Sequence, residues 1–523
     1  MSADRAVPKF AGADMAQDKQ SDSVVSDWWL PEDGEEAAAP GTYSVLQTGN
    51  AKAVLHRPMG TSSALEFNPT TYPLVHGVAF GKPVTLVDAR AGRARLGMGT
   101  QAEIELLPRL AIEGLLLTED ELSVTEVKVR IQRQDDWVRP RSFNVERDSG
   151  GFPTRVSMKQ IPDLLAWANN ALIGVCDFTT TRGNGGAEFA VHSRSGFRLC
   201  FNTPIPVGEL FDGFLRGLQV LMTLITGTRC GIESLEFTND TWKIDGCTPK
   251  HPHWVKVRMR APEIDSKKSN HRRFLFPFGA MDWESQASRI MDLSSEWVYA
   301  IEQWALLLDD RFVWPVARFA TAASAVEALD RVLNPTETYE PDTDLINRVA
   351  EALRETQLTA KDRKKVKGAL KRPKETSLEE RIRRLAALAP DAMKLVVNEP
   401  QWESRVARLR HVVSHGLKSS ESFSKDVRTV QCGTEILLNL LECTFLFHLG
   451  FSCDQITAIK VRHSDTEWRK QIVDECFSLM PQIPGQEASS SPEPKSSTPA
   501  GNSTSPVSTN DGKNAGIATG KDT

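Results

Sequence analysis

The chain contains no Cys-x-x-Cys pair, although it has eight cysteines. These cysteines are widely spread between Cys176 and Cys476, so neither a zinc ribbon nor a thioredoxin-like redox motif is indicated. Isolated cysteines of this kind are typical of small buried side chains in a reducing compartment. The sequence therefore predicts free thiols and a cytoplasmic location.

Long apolar runs and a dominant charge are also missing. The longest apolar run, near Leu218 to Ile225, is far shorter than the roughly 20 residues that a membrane-spanning helix needs. Met1 to Gln20 is polar and mixed in charge, without the apolar stretch of a signal peptide. The net charge of −5 gives no global signal for nucleic-acid binding. We expect a soluble protein with no membrane partner.

The motifs of several large enzyme classes are absent. The sequence has no GxxxxGK[ST], no GxGxxG after a strand, no GxSxG and no HExxH, so it predicts no cofactor and no metal. His251 and His253 could bind a metal, but no third ligand lies near them in sequence. His76, Trp28 and Trp29 have the context of structural residues in or beside strands.

One short segment, by contrast, places an arginine and two histidines close together. Arg410 and His411 are followed by His415 and then by Gly416. Arginine can hold a phosphate through two hydrogen bonds, and histidine can give or take a proton near neutral pH. Such a set of side chains is suited to cutting RNA without a metal.

The segment is predicted to be helical from Trp402 to Leu417. One apolar stripe recurs at helical spacing and comprises Trp402, Val406, Leu409 and Val413. His411 and His415 lie opposite that stripe, Pro400 precedes the helix, and Gly416 is placed to end it. In the last turn, the helix dipole favours a protonated His415, which could act as a general acid.

Three other interpretations fit the same residues. The basic side chains could be a solvated helix face, with His415 as a simple cap. His411 and His415 have the spacing of a metal-binding pair, although no HExxH glutamate lies between them. Arg405 with His411, and Arg408 with His415, come close to the same arginine-to-histidine spacing.

The N-terminal half has the two-residue period of β-strands. A helical pattern interrupts it at 209–226 and contains Gly213 and Gly217. The predicted fold is a large, mostly antiparallel β-sandwich or barrel with an inserted helix. The predicted strands are 43–46, 53–57, 84–88, 102–107, 127–132, 197–201 and 255–260, with a turn at 183–186.

From about Ser288 the period changes to 3.6 residues, which predicts an all-α bundle of five or six helices. Ser377 and Glu380 form a capping box at the start of one of them. We therefore predict a disordered stretch at 1–22, a β-rich domain at 23–285, a helical domain at 286–482 and a disordered Ser/Thr/Pro-rich tail at 483–523. The predicted helices are 290–308, 316–333, 342–356, 377–388, 402–415 and 427–449.

Two further features of the helical half are candidates for a supporting role. Glu327 lies in an apolar helix and is either a surface acid or a charge partner that orients Arg410. Between Lys361 and Arg384 there are eleven Lys/Arg and four Asp/Glu, so the segment carries 11 − 4 = +7. This charge is either merely solvated or steers an RNA backbone toward the site, with Lys364, Lys365, Lys371 and Arg372 as candidate RNA-binding residues.

Both halves resemble known families. Trp28-Trp29-Leu30-Pro31, Gly41, Val75-His76-Gly77-Val78 and Gly81-Lys82-Pro83-Val84-Thr85-Leu86 resemble the N-terminal domain of ApeA-type anti-phage proteins. Arg410-His411-x3-His415-Gly416 resembles the R-(polar)-x3-H signature of the HEPN ribonucleases. The segments 319–333, 377–381 and 437–450 look like further helices of a HEPN bundle.

The resemblance implies a defence ribonuclease. The N-terminal domain would sense a phage-derived trigger, and two HEPN domains would pair so that both motifs share one cleft. Arg410 would clamp the scissile phosphate, His415 would serve as general acid or base, and His411 would orient the phosphate or its neighbour. The expected partners are RNA (transfer RNA is one candidate) and a second copy of the chain, with growth arrest or abortive infection as the outcome.

Two other functions remain open. One is a non-catalytic HEPN module for dimerisation or nucleic-acid binding, and the other is a metallohydrolase that uses His411 and His415.

Overall fold

The computed structural model describes most of the chain between residues 23 and 481. The described residues are 23–46, 49–59, 71–96, 102–138, 143–150, 153–158, 164–168, 170–184, 188–243, 252–259, 274–292, 297–308, 314–335, 343–355, 358–370, 376–415 and 427–481. The predicted disordered segments 1–22 and 483–523 lie outside them, as do residues 185 and 186 of the predicted turn at 183–186.

The first six strands form a closed barrel. They pair in the order β5-β4-β1-β2-β3-β6. The last strand, β6, also pairs with β5, so these six strands have no unpaired sheet edge. The strands are β1 (Val24–Trp29), β2 (Ala39–Val45), β3 (Ala51–Leu55), β4 (Thr71–Ala79), β5 (Lys82–Leu96) and β6 (Ala102–Leu107). Buried side chains of alternate positions, among them Tyr43, Leu55 and Leu86, fill the barrel as a separate apolar core.

Trp28 is the centre of the barrel core. It is fully buried, and its indole N–H donates to the Ser26 hydroxyl at 2.7 Å. Gly77 lies opposite it on β4, where a Cβ would overlap the indole ring. A Cβ on Gly41 would overlap the Val54 carbonyl oxygen and would also lie 3.2 Å from Trp28 Cδ1. Gly77 therefore makes room for the Trp28 ring, and Gly41 allows β3 to approach closely.

The sheet continues beyond the barrel as a broad antiparallel wing. β5 also pairs with β7 (Leu110–Glu113), and the order from there is β7-β15-β14-β8-β13-β12-β11. The further strands are β8 (Ser123–Ile131), β11 (Leu164–Ala168), β12 (Ala171–Asn184), β13 (Glu188–Pro206), β14 (Ile232–Thr238) and β15 (Val255–Met259), while β9 (Phe143–Arg147) and β10 (Pro153–Met158) form a hairpin. Every strand pairing in the described residues is antiparallel, which confirms the predicted β-class.

The predicted inserted helix is present and covers the inner face of this wing. A short helix, α1 (Gln134–Val138), precedes it in the chain. The inserted helix comprises α2 (Val207–Leu210), a π-helical turn (Phe211–Leu215) and α3 (Arg216–Thr226), so Gly213 lies in the irregular turn. The buried residues of α3 share one core with the inward-facing valines at 127 and 129 of β8.

The C-terminal half is helical, as predicted, and has more helices than the periodicity indicated. The predicted helix at 290–308 is divided into two, and the segments 360–370, 390–394 and 453–476 add helices that the sequence pattern did not separate. The helices are α4 (Trp283–Asp292), α5 (Val298–Leu307), α6 (Pro315–Leu333), α7 (Thr343–Ala352), α8 (Ala360–Leu370), α9 (Leu378–Ala386), α10 (Pro390–Lys394), α11 (Trp402–His415), α12 (Val427–His448), α13 (Cys453–Arg462) and α14 (Ser464–Cys476). The Ser377 hydroxyl accepts from the Glu380 N–H at 3.2 Å, which confirms the predicted helix start.

The β-rich and helical halves share one apolar core. Trp283 at the start of α4 donates its indole N–H to the Ile173 carbonyl at 3.1 Å and stacks on Phe197 at 5.9 Å between ring centroids. Phe276 and Phe451 meet at 5.0 Å in the same core. The domain boundary near residue 285 stays a prediction, because the core runs across it.

Helix α12 is the central helix of the bundle, and a buried ion cluster fixes α13 and α14 against it. Glu442 accepts from Lys460 at 2.6 Å and from two nitrogens of Arg469 at 2.6 and 2.8 Å, and all three side chains are buried. Burial alone would raise the pKa of the Glu442 carboxyl, but Arg469 and Lys460 hold that pKa well below its ordinary value. Trp304 of α5 also donates to Glu442, at 3.2 Å.

Among the described helices, α12 alone is long and apolar enough to cross a membrane. Its most apolar window is 89% buried within the protein. A core helix of a folded bundle passes the same test of length and composition, so this property is weak evidence for a membrane span.

Candidate functional site

Helix α11 forms where the sequence predicted it and buries the predicted apolar stripe. Val406 and Leu409 are fully buried, Trp402 is 8% exposed, and Val413 packs at the margin of the core. Val412 is buried as well, at 7% exposure. The side of the helix away from this stripe carries the exposed Arg408 and His411, as the sequence pattern predicted for His411.

The buried stripe brings α11 against α6, α9 and α12. The approach of α12 is close because Gly433 faces the other two helices. A Cβ at that position would lie 2.7 Å from Phe319 Cε2 of α6 and 2.8 Å from Leu409 Cδ2 of α11. The packing thus fixes α6 and α11 side by side, with the polar residues of both at the rim of the bundle.

At this rim, Arg410 of α11 faces Glu327 of α6. Arg410 Nε lies 4.0 Å from Glu327 Oε1, and the two side chains are 29% and 26% exposed. Arg410 Nε is itself buried and makes no hydrogen bond within the described residues. A partly exposed guanidinium is thereby held beside a carboxylate without a short hydrogen bond, so its exposed part could bind an anion from solvent.

The neighbouring arginines of α11 have different environments. Arg405 forms hydrogen bonds within the protein: its Nη2 donates to the Phe477 and Met480 carbonyls at 3.0 and 2.9 Å. Its guanidinium also lies 4.2 Å from the centre of the Phe477 ring. Arg408 is exposed on the polar side of the helix. The alternative pairing of Arg405 with His411 is therefore disfavoured, because Arg405 is occupied in anchoring the segment after α14.

The two candidate histidines occupy the end of the same helix. His411 is exposed directly after Arg410. His415 is the last residue of α11, one turn further on, and its side chain lies outside the described part of the structure. The segment after it, which contains Gly416, also lies outside the described residues.

A second charged cluster lies on α6 about one turn after Glu327. The sequence analysis did not predict it. Asp330 is 1% exposed and accepts from Arg381 Nη1 and Arg384 Nη2 of α9, each at 2.8 Å. Asn334 donates to its other oxygen at 3.0 Å. An aspartate three residues after Glu327 and two arginines at i, i+3 were visible in the sequence, but only the packing of α9 on α6 shows that they meet.

The basic segment is only partly described. Lys364 and Lys365 are exposed on α8, which packs against α7. Lys371 and Arg372 lie outside the described residues. The candidate RNA-binding role of these four residues stays a prediction.

The candidates in the β-rich half have structural contacts. His76 is 8% exposed, and its Nε2 is 2.9 Å from the Leu117 carbonyl. Trp28 is a core residue, and Trp29 is 4% exposed beside the His76 ring. His251 lies outside the described residues, and the described part of the chain contains no group of three or more His, Cys, Asp or Glu side chains arranged to hold a metal.

Comparison with known families assigns both halves. Residues 23–285 match the family model described as ApeA N-terminal domain 1, and residues 320–455 match the model described as Apea-like HEPN. The second match contains most of α6 and all of α9, α11 and α12, and therefore both Glu327 and the Arg410 motif. No curated protein and no solved structure matches the chain.

Proposed function

The chain belongs to the ApeA family of anti-phage proteins that contain a HEPN domain, and from that premise we propose that it is a metal-independent endoribonuclease acting in the cytoplasm. HEPN domains as a class suggest ribonuclease activity, and they commonly bind RNA and dimerise. The residues at the rim between α6 and α11 support a specific version of that activity in this chain.

One arrangement carries the proposal. Arg410 lies partly exposed on α11, with its Nε 4.0 Å from Glu327 Oε1, next to the exposed His411 and five residues before His415. A guanidinium next to imidazoles supplies the two things that phosphodiester cleavage needs, which are stabilisation of the extra negative charge and transfer of protons. Arg405 is instead held by the backbone carbonyls of Phe477 and Met480, and Arg408 is exposed on the same helix.

In the proposed reaction, the RNA 2′-oxygen attacks the adjacent phosphorus and the bond to the 5′-oxygen breaks. Arg410 binds the non-bridging phosphate oxygens and stabilises the charge that develops on them. His415 acts as general base or acid, so the proton lost from the 2′-hydroxyl is balanced by one delivered to the leaving 5′-oxygen. The products are a 2′,3′-cyclic phosphate and a 5′-hydroxyl, and DNA is not cut because it has no 2′-hydroxyl.

His411 and Glu327 have supporting roles in this scheme. His411, directly after the arginine, orients the phosphate or its neighbour. Glu327 orients Arg410, whose Nε it approaches. Two chains pair through the HEPN domain, which brings two copies of the motif into one cleft. The basic segment adds a positive potential that attracts the RNA backbone, through Lys364, Lys365, Lys371 and Arg372.

The β-rich half is proposed to sense a phage-derived trigger. Its described residues are a barrel and a sheet with structural contacts at His76, Trp28 and Trp29, and the chemistry of the chain is concentrated on the helices. RNA cleavage, with transfer RNA as one target that would stop translation, then causes growth arrest or abortive infection.

The test is host growth and RNA integrity after induction of the wild type, His415→Ala and Arg408→Ala, with and without phage challenge. The proposal predicts RNA loss and protection for the wild type and Arg408→Ala, and neither for His415→Ala. Protection by His415→Ala with intact RNA would instead assign the HEPN domain to a non-catalytic dimerisation or nucleic-acid-binding role. In that role, the Arg410–Glu327 contact would be a structural ion pair.

A further inference from the structure

A polar cavity of about 120 Å³ lies between the first turn of α6 and the first half of α12. Its lining residues are Pro315, Arg318, Gln431, Thr434 and Glu435. Arg318 and Glu327 are nine residues apart on α6, which is about 2.5 helical turns, so they lie on opposite sides of that helix. The cavity is therefore separate from the rim at which Arg410 faces Glu327.

The α12 wall of the cavity offers hydrogen-bond acceptors. Glu435 is 2% exposed, and its Oε2 accepts from Arg469 Nε at 3.3 Å. No described residue donates a hydrogen bond to its other oxygen, Oε1. The Thr434 hydroxyl donates to the Val430 carbonyl at 2.9 Å, so its oxygen is left to accept from a ligand.

The α6 wall offers hydrogen-bond donors. Arg318 Nη2 donates to the Leu307 carbonyl at 2.8 Å, whereas its buried Nε makes no hydrogen bond within the described residues. Pro315 is the first residue of α6, and Trp314 before it provides no side-chain cap. The first N–H groups of a helix that lacks such a cap favour a negatively charged group beside them.

The two opposite charges that line the cavity form no ion pair with each other. Arg318 and Glu435 contribute +1 and −1 from facing walls, so the lining carries no net charge. Burial raises the pKa of the Glu435 carboxyl, and a positive group beside it would favour the charged form. A simple anion would face the carboxylate of Glu435, and a simple cation would face the guanidinium of Arg318. A molecule with one charge of each sign matches both walls.

The volume of the cavity limits the size of that molecule. A cavity of about 150 Å³ is enough for a benzene ring, so this one suits a molecule of about five or six non-hydrogen atoms, the size of the smallest amino acids. We propose that the cavity binds a small zwitterion of the α-amino acid class. Its carboxylate lies against Arg318 and the start of α6, and its ammonium group lies against Glu435 and Thr434.

The experiment is isothermal titration calorimetry of the full chain with glycine, which carries both charges. Acetate and methylammonium are the matched probes, because each keeps only one of them. We expect one glycine per chain with a Kd of about 1 mM or below, which is within reach of so small a ligand. Each single-charge probe should bind at least about tenfold more weakly, because it leaves one wall without its partner.

Two outcomes with the wild type would overturn the proposal. An absence of glycine binding at about 10 mM, ten times the expected Kd, would mean that the cavity holds only water. Equal affinities for glycine and acetate would reduce the site to a guanidinium that meets any small anion. The titrations contain no RNA, so they are independent of the proposed ribonuclease activity.

Variants of the two charged walls test which residues hold the ligand. Arg318→Gln and Glu435→Gln should each weaken glycine binding at least about tenfold, because each removes the charge that one end of the ligand meets. Arg331→Gln is the matched control, because Arg331 is exposed on the same helix. It should stay within about twofold of the wild type. Unchanged glycine affinity in either cavity variant would contradict the proposed contacts.

Glu435→Gln should also bind acetate more tightly than the wild type, because the carboxylate that repels an anion is gone. A misfolded protein would not show this gain. In this variant Arg469 keeps its hydrogen bonds to Glu442 at 2.6 and 2.8 Å, so its buried guanidinium is not left unpaired. Thermal unfolding of each variant identifies a folding defect.

Thr434→Val provides a second test in which no charge changes. It should weaken glycine binding about threefold to tenfold and leave acetate binding unchanged, because the hydroxyl faces only the ammonium group. An equal loss for glycine and acetate, or no loss for glycine, would contradict the proposed orientation of the ligand.

Discussion

Glu327 approaches the guanidinium of Arg410 without a tight hydrogen bond, at 4.0 Å from Nε. We expect Glu327→Gln to reduce the rate of RNA cleavage by about tenfold, because Arg410 then samples orientations that do not meet the phosphate. RNA affinity should be unchanged or slightly higher, because one negative charge beside the substrate is lost. The measurement is single-turnover cleavage together with equilibrium binding.

Glu302→Gln is the matched control for that variant, because Glu302 is exposed on α5. It should cleave like the wild type. If Glu327→Gln also cleaves like the wild type, Glu327 is only a surface acid beside Arg410 and has no orienting role.

His448 makes the stability of the folded chain depend on pH. Burial, followed by the nearby charge of Arg289, lowers the pKa of the His448 imidazole from 6.5 to about 4. The unfolded chain therefore binds a proton at a higher pH than the folded chain does. The stability that the neutral imidazole contributes is complete above pH 6.5 and is lost as the pH falls toward about 4.

We expect the unfolding midpoint of the wild type to fall more steeply with decreasing pH across this range than that of His448→Gln. The difference between the two curves isolates His448 from the carboxylates that titrate nearby. Parallel curves for the two proteins would show that the imidazole is not held neutral in the folded state.

At the scale of single elements, the barrel depends on a glycine opposite a tryptophan. We expect Gly77→Ala to lower the free energy of unfolding by about 1–3 kcal/mol, because its Cβ would overlap the ring of the fully buried Trp28. The measurement is chemical denaturation, followed through tryptophan fluorescence.

Gly279→Ala is the matched control, because a Cβ at Gly279 has no atom within 4 Å. Its effect should stay within about 0.5 kcal/mol. Equal stabilities of the two variants would mean that the Trp28 ring can move away and that the close packing is not required.

The helix α11 shows what the sequence alone could predict at this scale. Its bounds and its buried stripe follow from 3.6-residue periodicity, which is a local property. The approach of Glu327 to Arg410 could only be suggested, because it depends on how α6 packs beside α11, and that packing is set by Gly433 and Phe319 in other segments.

Local sequence patterns could not predict other parts of the fold. Alternation predicted β8 and β15, but closure of the barrel depends on pairing of β5 with β6 as well as with β4. The Asp330–Arg384 contact joins residues 54 positions apart, and no periodicity signals it. In the basic segment, the charge count gave the same weight to Arg381, which is buried on Asp330, as to the exposed Lys364.

At the scale of the whole molecule, the proposed cleft is shared between two chains. Arg410→Ala and His415→Ala should each be inactive alone, but a mixture should regain activity, because a mixed dimer contains one intact arginine and one intact histidine. At equal amounts about half of the dimers are mixed if exchange is free. Cleavage assays on the separate and mixed proteins test this.

The control for that experiment is a mixture of Arg410→Ala with the double variant, which should stay inactive. Formation of mixed dimers is checked with two distinguishable affinity tags. Mixed dimers without any cleavage would contradict a site assembled from two chains.

The most direct test of the whole account is cleavage of end-labelled RNA by the purified chain in the presence of a chelator, with analysis of the product ends. We predict that the wild type and Arg408→Ala produce 2′,3′-cyclic phosphate ends, and that Arg410→Ala is slower by about a hundredfold or more. Cleavage by Arg410→Ala at the wild-type rate, a requirement for a divalent ion, or 3′-hydroxyl products would contradict the proposed site and its chemistry.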